Sequence, residues 1–193
     1  MKKPFVVGIA GCTQSGKSTF TAELENALQS VKVKAFHMDD YFGFNENLPV
    51  AKAPVTRKAY NDFNQPASVN FPQLRLDLKN EIERNEVDVI IVEGTMILYD
   101  EEIFAALDLK LYVEISADER AVRYIELYSQ YHGYDFIRNS YLDLVRYRMA
   151  EYVEPTKWRA DIILNGSMKS EQAIEMVKTY LLTRISKGDR NAT

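Results

Sequence analysis

Apolar positions along this chain alternate between short unbroken runs and three-to-four-residue spacings, and that alternation predicts its elements. Phe5-Val6-Val7-Gly8-Ile9-Ala10 is a short apolar run that reads as a buried strand, and Phe20, Leu24, Ala27 and Leu28 follow at helical spacing. Val31 to Phe36 alternates apolar with polar residues, a second strand. Leu74, Leu78 and Ile82 mark a helix begun near Asn70 and Pro72. The run Val87 to Gly94 has the pattern of a central parallel strand, buried on both faces and closed by a carboxylate. Ile103, Phe104 and Leu107 predict a short helix, Leu109 to Ile115 a fourth strand, and Ala160 to Leu164 a fifth that ends in an Asn165-Gly166 turn. Ile174, Val177, Leu181 and Ile185 line a last helix, and the tail after Gly188 reads as loose. Strands alternating with helices predict a three-layer α/β fold on a parallel sheet, with residues 1–193 as one domain.

Two stretches break the rhythm. From 41 to 71 the chain is irregular, with Pro49, Pro54, Pro66 and several asparagines, yet Tyr41, Phe42, Phe44, Tyr60, Phe63 and Phe71 make it too aromatic for a disordered segment. It reads as an ordered substrate wall. Residues 117–159 hold seven of the 12 tyrosines and six of the arginines, and read as a lid of two helices around Gly133. Ser116-Ala117-Asp118-Glu119 is a capping box for the first. In the second, Leu142, Val145, Met149 and Tyr152 form the expected packed stripe.

Between the first strand and first helix lie Gly11, Cys12, Thr13, Gln14, Ser15, Gly16, Lys17, Ser18 and Thr19, which fit Gly-x-x-x-x-Gly-Lys-Ser. A glycine-rich turn that leads into a helix exposes backbone N–H groups beside the positive end of the helix dipole, a cradle for the phosphates of ATP or another NTP. In such a loop Lys17 reaches the β- and γ-phosphates and the Ser18 hydroxyl ligates Mg²⁺. Asp39 and Asp40 follow the second strand, at the sheet end where open α/β folds place their ligands. Glu93 closes the third strand beside the loop, in a Walker B-like position that holds Mg²⁺ directly or through water.

Composition narrows the classes. With 24 basic and 28 acidic residues and no basic run, the chain is a poor candidate for general nucleic-acid or anionic-membrane binding. Cys12 is the single cysteine, so no intrachain disulfide or zinc pattern arises, and the reducing cytoplasm fits best. No apolar run approaches a membrane span, and no signal peptide is read.

Several separated stretches together resemble the uridine kinase family of P-loop nucleoside kinases, related to phosphoribulokinase and bacterial pantothenate kinase. They are Gly11 to Thr19, Met38 to Phe42, Asp62 to Pro66, Val92-Glu93-Gly94, Ala117 to Arg120 and Glu154 to Asp161. The resemblance implies a five-stranded sheet in the order 2-3-1-4-5. It implies a kinase that moves the γ-phosphoryl of ATP or another NTP to a hydroxyl, most simply the 5′-hydroxyl of a uridine- or cytidine-like nucleoside. Asp39 takes the role of the base that receives the acceptor's proton and lies among the magnesium-associated groups with Ser18 and Glu93. Asp40, Tyr41, Phe63, Asn64 and Arg123 fall on the substrate side. A homo-oligomer is compatible with it.

The chain departs from the family in two places. Asp62-Phe63-Asn64-Gln65-Pro66 stands where uridine kinases have Asn-Phe-Asp-His-Pro, which puts the amide of Asn64 where the ribose-binding carboxylate is expected. The family's Arg-Asp…Arg-Gly-Arg run falls on Leu127-Tyr128 and His132-Gly133-Tyr134, so its clamping arginines are absent. The phosphate clamp is then sought on the second lid helix. Arg148 is the first choice, because it sits at the edge of the stripe near Tyr141, and a guanidinium can grip phosphate at two points. Residues 133–136 with Tyr147-Arg148 also resemble nicotinamide riboside kinases, so the acceptor is open between these. A nucleotide-binding regulatory module is the alternative from another class.

Overall fold

Strand β1 (Phe5–Gly11) is buried along its whole length and sits at the centre of a five-stranded sheet. A computed structural model of the chain describes residues 3–43 and 48–187. Phe44 and the tail from Gly188, both read in the sequence, lie outside those residues. After β1 come α1 (Lys17–Ala27), β2 (Val33–His37), the short strands β3 (Val50–Lys52) and β4 (Ala59–Asn61), α2 (Phe71–Arg84) and β5 (Val89–Glu93). The second half contains α3 (Glu101–Ala106), β6 (Leu109–Glu114), α4 (Ala117–His132), α5 (Tyr134–Ser140), α6 (Arg146–Arg148), β7 (Ile162–Asn165) and α7 (Glu171–Lys187).

The main sheet runs β2-β5-β1-β6-β7, every pairing parallel. Leaving out β3 and β4, which pair only with each other, this is the expected 2-3-1-4-5 order. Because side chains alternate across a strand, β1 divides its apolar residues between two cores. Val6 and Ala10 join Leu74, Leu78, Ile90, Val92, Met96 and Tyr112 on one face. Phe5, Val7 and Ile9 join Leu24, Leu28, Ile91, Leu111, Val177 and Leu181 on the other. Helices α1 and α7 cover the second face, while α2 and the 141–153 segment cover the first, which makes the three layers.

Three local expectations change. The irregular 41–71 stretch contains an antiparallel hairpin, with Val50 opposite Asn61 and Lys52 opposite Ala59. Strands of three residues are too short for period-two patterning to reveal. Helix α4 does start after Ser116, but the Ser116 hydroxyl donates to Asp118 and does not cap the helix. Glu119, the other half of the expected capping box, is occupied by Arg123 and by the Ser167 hydroxyl.

The second lid helix also contains π turns over Tyr141–Val145 and Met149–Val153, on either side of α6. Each π turn takes up one more residue than an α turn, so its inward positions fall four apart, at Tyr141, Val145, Met149 and Val153, all buried. Leu142, expected in the stripe, is 41% exposed.

Candidate active site

The phosphate-loop motif lies between the end of β1 and the start of α1. Gly16, with φ 92°, makes the left-handed turn into the helix at no steric cost, and Gln14 holds φ 60° without being glycine. No side chain caps α1 and no acidic residue stands in its first turn. Its first N–H groups and positive dipole end are therefore open to an anion, with Thr13, Gln14, Ser15 and Thr19 around them.

Lys17 and Glu93 meet directly beneath this turn. Lys17 is 8% exposed and its Nζ lies 3.5 Å from Glu93 Oε1. The Ser18 hydroxyl donates to the same oxygen at 3.2 Å, and His37 Nδ1 lies 3.0 Å from Glu93 Oε2. The hydrogen bond to Glu93 is the main reason the imidazole of His37 titrates above its ordinary range; partial burial opposes the rise.

Asp39 and Asp40 sit on the 3₁₀ turn Met38–Tyr41 at the end of β2. Asp39 is exposed at the cleft rim, yet the protein on its inner side displaces enough water to lift its carboxyl above the usual Asp range. Lys17 pulls the value back, and Glu93 and Asp40 push it up again. The protein thus puts Asp39, Lys17 and Glu93 within electrostatic reach of one another.

The oxygens of Ser18 and Glu93, with Asp39 nearby, suit a hard cation such as Mg²⁺, which keeps several waters and binds mostly to substrate phosphates. Among the described residues no cluster of three His, Cys, Asp or Glu side chains offers a different metal site.

The substrate side is more heavily tied down than the sequence suggests. The Tyr41 hydroxyl donates to Asp77 Oδ2 on α2 at 2.9 Å, and burial, then Asp77, raise its pKa. Phe42 and Phe63 meet edge to face with centroids 6.0 Å apart, and Phe63 is 45% exposed. The Asn64 backbone N–H donates to Asp62 Oδ1 at 2.9 Å. Asp62 itself is fully buried and accepts from Arg148 Nε at 2.7 Å.

Arg148 spends its remaining contact on Glu151 Oε2, also at 2.7 Å. These contacts place Arg148 against the segment that follows the hairpin, and a grip on phosphate would compete with them. A second tie lies nearby, where Asp143 accepts from Thr56 Oγ1 at 2.9 Å and from the Tyr60 hydroxyl at 2.8 Å. Burial and that bond push the Tyr60 phenol up to about 12.

Arg123 is likewise a structural tie. Its guanidinium donates to the Gln14, Gly166 and Ser167 carbonyls at 3.1–3.3 Å and to Glu119 at 2.5 Å. It thereby joins the phosphate loop, the turn after β7 and α4. Gly166 packs so closely that a Cβ there would fall 2.2 Å from the Ser15 carbonyl oxygen. Beside it Gly16, Phe20, Arg123, Leu164 and Ala173 line a cavity next to the phosphate loop.

Sequence reasoning missed His37, Asp62 and Tyr128. The Tyr128 ring meets that of Tyr124 at a tilt of 49° with centroids 4.6 Å apart, and Tyr128 lies against Thr13 and Gln14. Burial raises its phenol, and the charge of Asp39 adds to the rise. For His37 and Asp62 the available signal was adjacency: His37 lies two residues before Asp39, and Asp62 two before Asn64.

Residues 55–173 match the Phosphoribulokinase / Uridine kinase family. The chain is 29% identical over 206 residues to the uridine kinase of Lactobacillus helveticus strain DPC 4571, covering 94% of this chain and 95% of that one. It is 27% identical over 207 residues to the uridine kinase of Clostridium tetani strain Massachusetts / E88, covering 97% and 99%. Its fold is similar to that of a putative fructose transport system kinase from Silicibacter sp. TM1040, with TM-score 0.62 at 19% identity over 84% of this chain and 90% of the other. A possible uridine kinase from Bacillus stearothermophilus gives TM-score 0.52 at 20% identity, over 86% and 90%. At those identities the two structures speak for the fold.

Proposed function

Because the chain belongs to the Phosphoribulokinase / Uridine kinase family and is a P-loop small-molecule kinase, we propose that its acceptor is the 5′-hydroxyl of a nucleoside, uridine- or cytidine-like, with ATP or another NTP as donor. The observation that carries this reading is the convergence of Lys17, Ser18 and Glu93 beneath the phosphate loop with Asp39 on the rim facing them. A donor site and a proton acceptor share one cleft there. In this reading the rings of Phe42 and Phe63, which meet edge to face, are the aromatic surface that receives a planar base.

In this reading the loop N–H groups and Lys17 hold the β- and γ-phosphates. The acceptor oxygen forms its bond to the γ-phosphorus as the bond to the β-phosphate's bridging oxygen breaks. The hydroxyl proton passes to the Asp39 carboxylate, and the nucleoside diphosphate leaves. Ser18 and Glu93, with Asp39 nearby, would hold Mg²⁺, which would supply charge neutralisation on the phosphates. The protein's own contribution is alignment and electrostatics, the main components of catalysis in phosphoryl transfer.

The test is release of ADP with uridine, cytidine, nicotinamide riboside and free sugars offered singly. Release that requires a pyrimidine nucleoside supports the reading, and preference for another alcohol moves the acceptor. Equal release without any acceptor makes the protein a hydrolase. Tight nucleotide binding with no turnover makes it a regulatory module.

A further inference from the structure

We propose that His37 is a positioning residue that fixes the carboxylate of Glu93 in the orientation that binds a phosphate-associated divalent cation; this rests on the kinase reading above. Strands β2 and β5 pair in parallel with His37 directly opposite Glu93. Partners in register on adjacent parallel strands point to the same face, so the imidazole and the carboxylate emerge side by side at the sheet's C-terminal end.

The two oxygens of Glu93 have separate partners. Oε1 faces the donor site, 3.2 Å from the Ser18 hydroxyl and 3.5 Å from Lys17 Nζ, while Oε2 lies 3.0 Å from His37 Nδ1. The Glu93 side chain is 5% exposed, so Oε2 has little water to replace His37, whose own side chain is 41% exposed. The terminal torsion of a glutamate is soft and roughly two-fold. Among the described residues only the His37 contact holds Oε2.

With Nδ1 protonated, His37 donates to Oε2 and stops the carboxylate from rotating to offer both oxygens to Lys17. Oε1 then stays turned toward Ser18, where a cation with oxygen ligands would bind. Hydrogen bonds of this kind to a ligating carboxylate commonly contribute about 10- to 100-fold in metal affinity.

The experiment compares wild type, His37→Phe and His37→Asn. Phenylalanine keeps a planar ring and removes the donor; asparagine is smaller and keeps a donor close to the position of Nδ1. Each protein is loaded with a non-hydrolysable ATP analogue and titrated with Mn²⁺, with bound metal read by electron paramagnetic resonance. Nucleotide affinity in EDTA is measured alongside.

His37→Phe is expected to lose about 10- to 100-fold in Mn²⁺ affinity while metal-free nucleotide binding stays at the wild-type level, and His37→Asn is expected to restore most of the loss. Wild-type Mn²⁺ affinity in the phenylalanine variant overturns the proposal. So does an equal fall in metal-free nucleotide binding, which reports a general structural role. Wild-type protein that binds neither nucleotide nor Mn²⁺ overturns the kinase reading itself, a distinct outcome.

Discussion

Replacing Arg148 with methionine separates two roles for that arginine, gripping phosphate or holding the substrate wall. The side chain of Asp62 is 0% exposed and that of Arg148 19%. Removing one partner from a buried ion pair costs about 3–5 kcal/mol, because the other charge is left behind. The lower end applies, since Arg148 is partly exposed and Asp62 keeps the Asn64 N–H. The Glu151 contact, with its carboxylate 50% exposed, adds only about 0–1 kcal/mol.

A loss of about 3 kcal/mol in a domain of this size lowers Tm by about 6–12 °C. Thermal unfolding of Arg148→Met, Asp62→Asn and the double variant reads the coupling. The double variant should be more stable than Arg148→Met, because the stranded charge is gone. The acceptor KM should rise in Arg148→Met, since Asp62 also anchors the backbone of Asn64, while kcat at saturating substrates changes less. An unchanged Tm with a large fall in kcat would refute this reasoning and return Arg148 to the phosphates.

Asp39→Asn should lower kcat by about 10²- to 10⁴-fold, the range for a positioned base, with nucleotide affinity retained in a binding titration. Because the Asp39 carboxyl is raised, it stays protonated to higher pH than an ordinary aspartate; kcat of the wild type should fall on acidification through that raised value, and a pH profile of Asp39→Asn should lack this limb. Lys17→Ala should abolish transfer without unfolding the protein, checked by turnover and circular dichroism together; wild-type turnover would remove the phosphate-loop assignment. In Gly166→Ala the new Cβ meets the Ser15 and Glu114 carbonyl oxygens at 2.2 and 2.9 Å, and backbone cannot yield cheaply, so stability should drop by about 1–3 kcal/mol and NTP affinity with it, as read by thermal shift with and without nucleotide.

The sheet was legible because its information is local. Phe5–Gly11 and Val89–Glu93 are continuous apolar runs, and each ends on a residue of the site, so strand assignment and site assignment were one step. The 50–61 hairpin was not legible, since three-residue strands carry no period and Pro49 and Pro54 read as loop. The 141–153 helix was legible as a helix and misphased as a surface. Its π turns insert residues into the repeat, and nothing in the side chains of Leu142 or Tyr141 announces which of them turns inward.

The arginines show the same boundary from the side of electrostatics. What a guanidinium does is set by partners that periodicity cannot reach. Arg120 is held by Tyr141 and Glu154, Arg123 by the carbonyls of Gln14, Gly166 and Ser167, and Arg148 by Asp62. These separations run from 21 to 109 residues. The ties are not equal in strength. Arg120 is 3% exposed and its pair resists opening, whereas Arg138 pairs with Asp135 three residues away, their side chains 41% and 80% exposed, at about 0–1 kcal/mol. Lys17 and the open N–H groups of α1 are thus the positive groups not tied up in the lid, whereas Arg120, Arg123 and Arg148 are held by carboxylates and carbonyls. Of the arginines paired to carboxylates in the lid, Arg138 leaves its partner at the least cost.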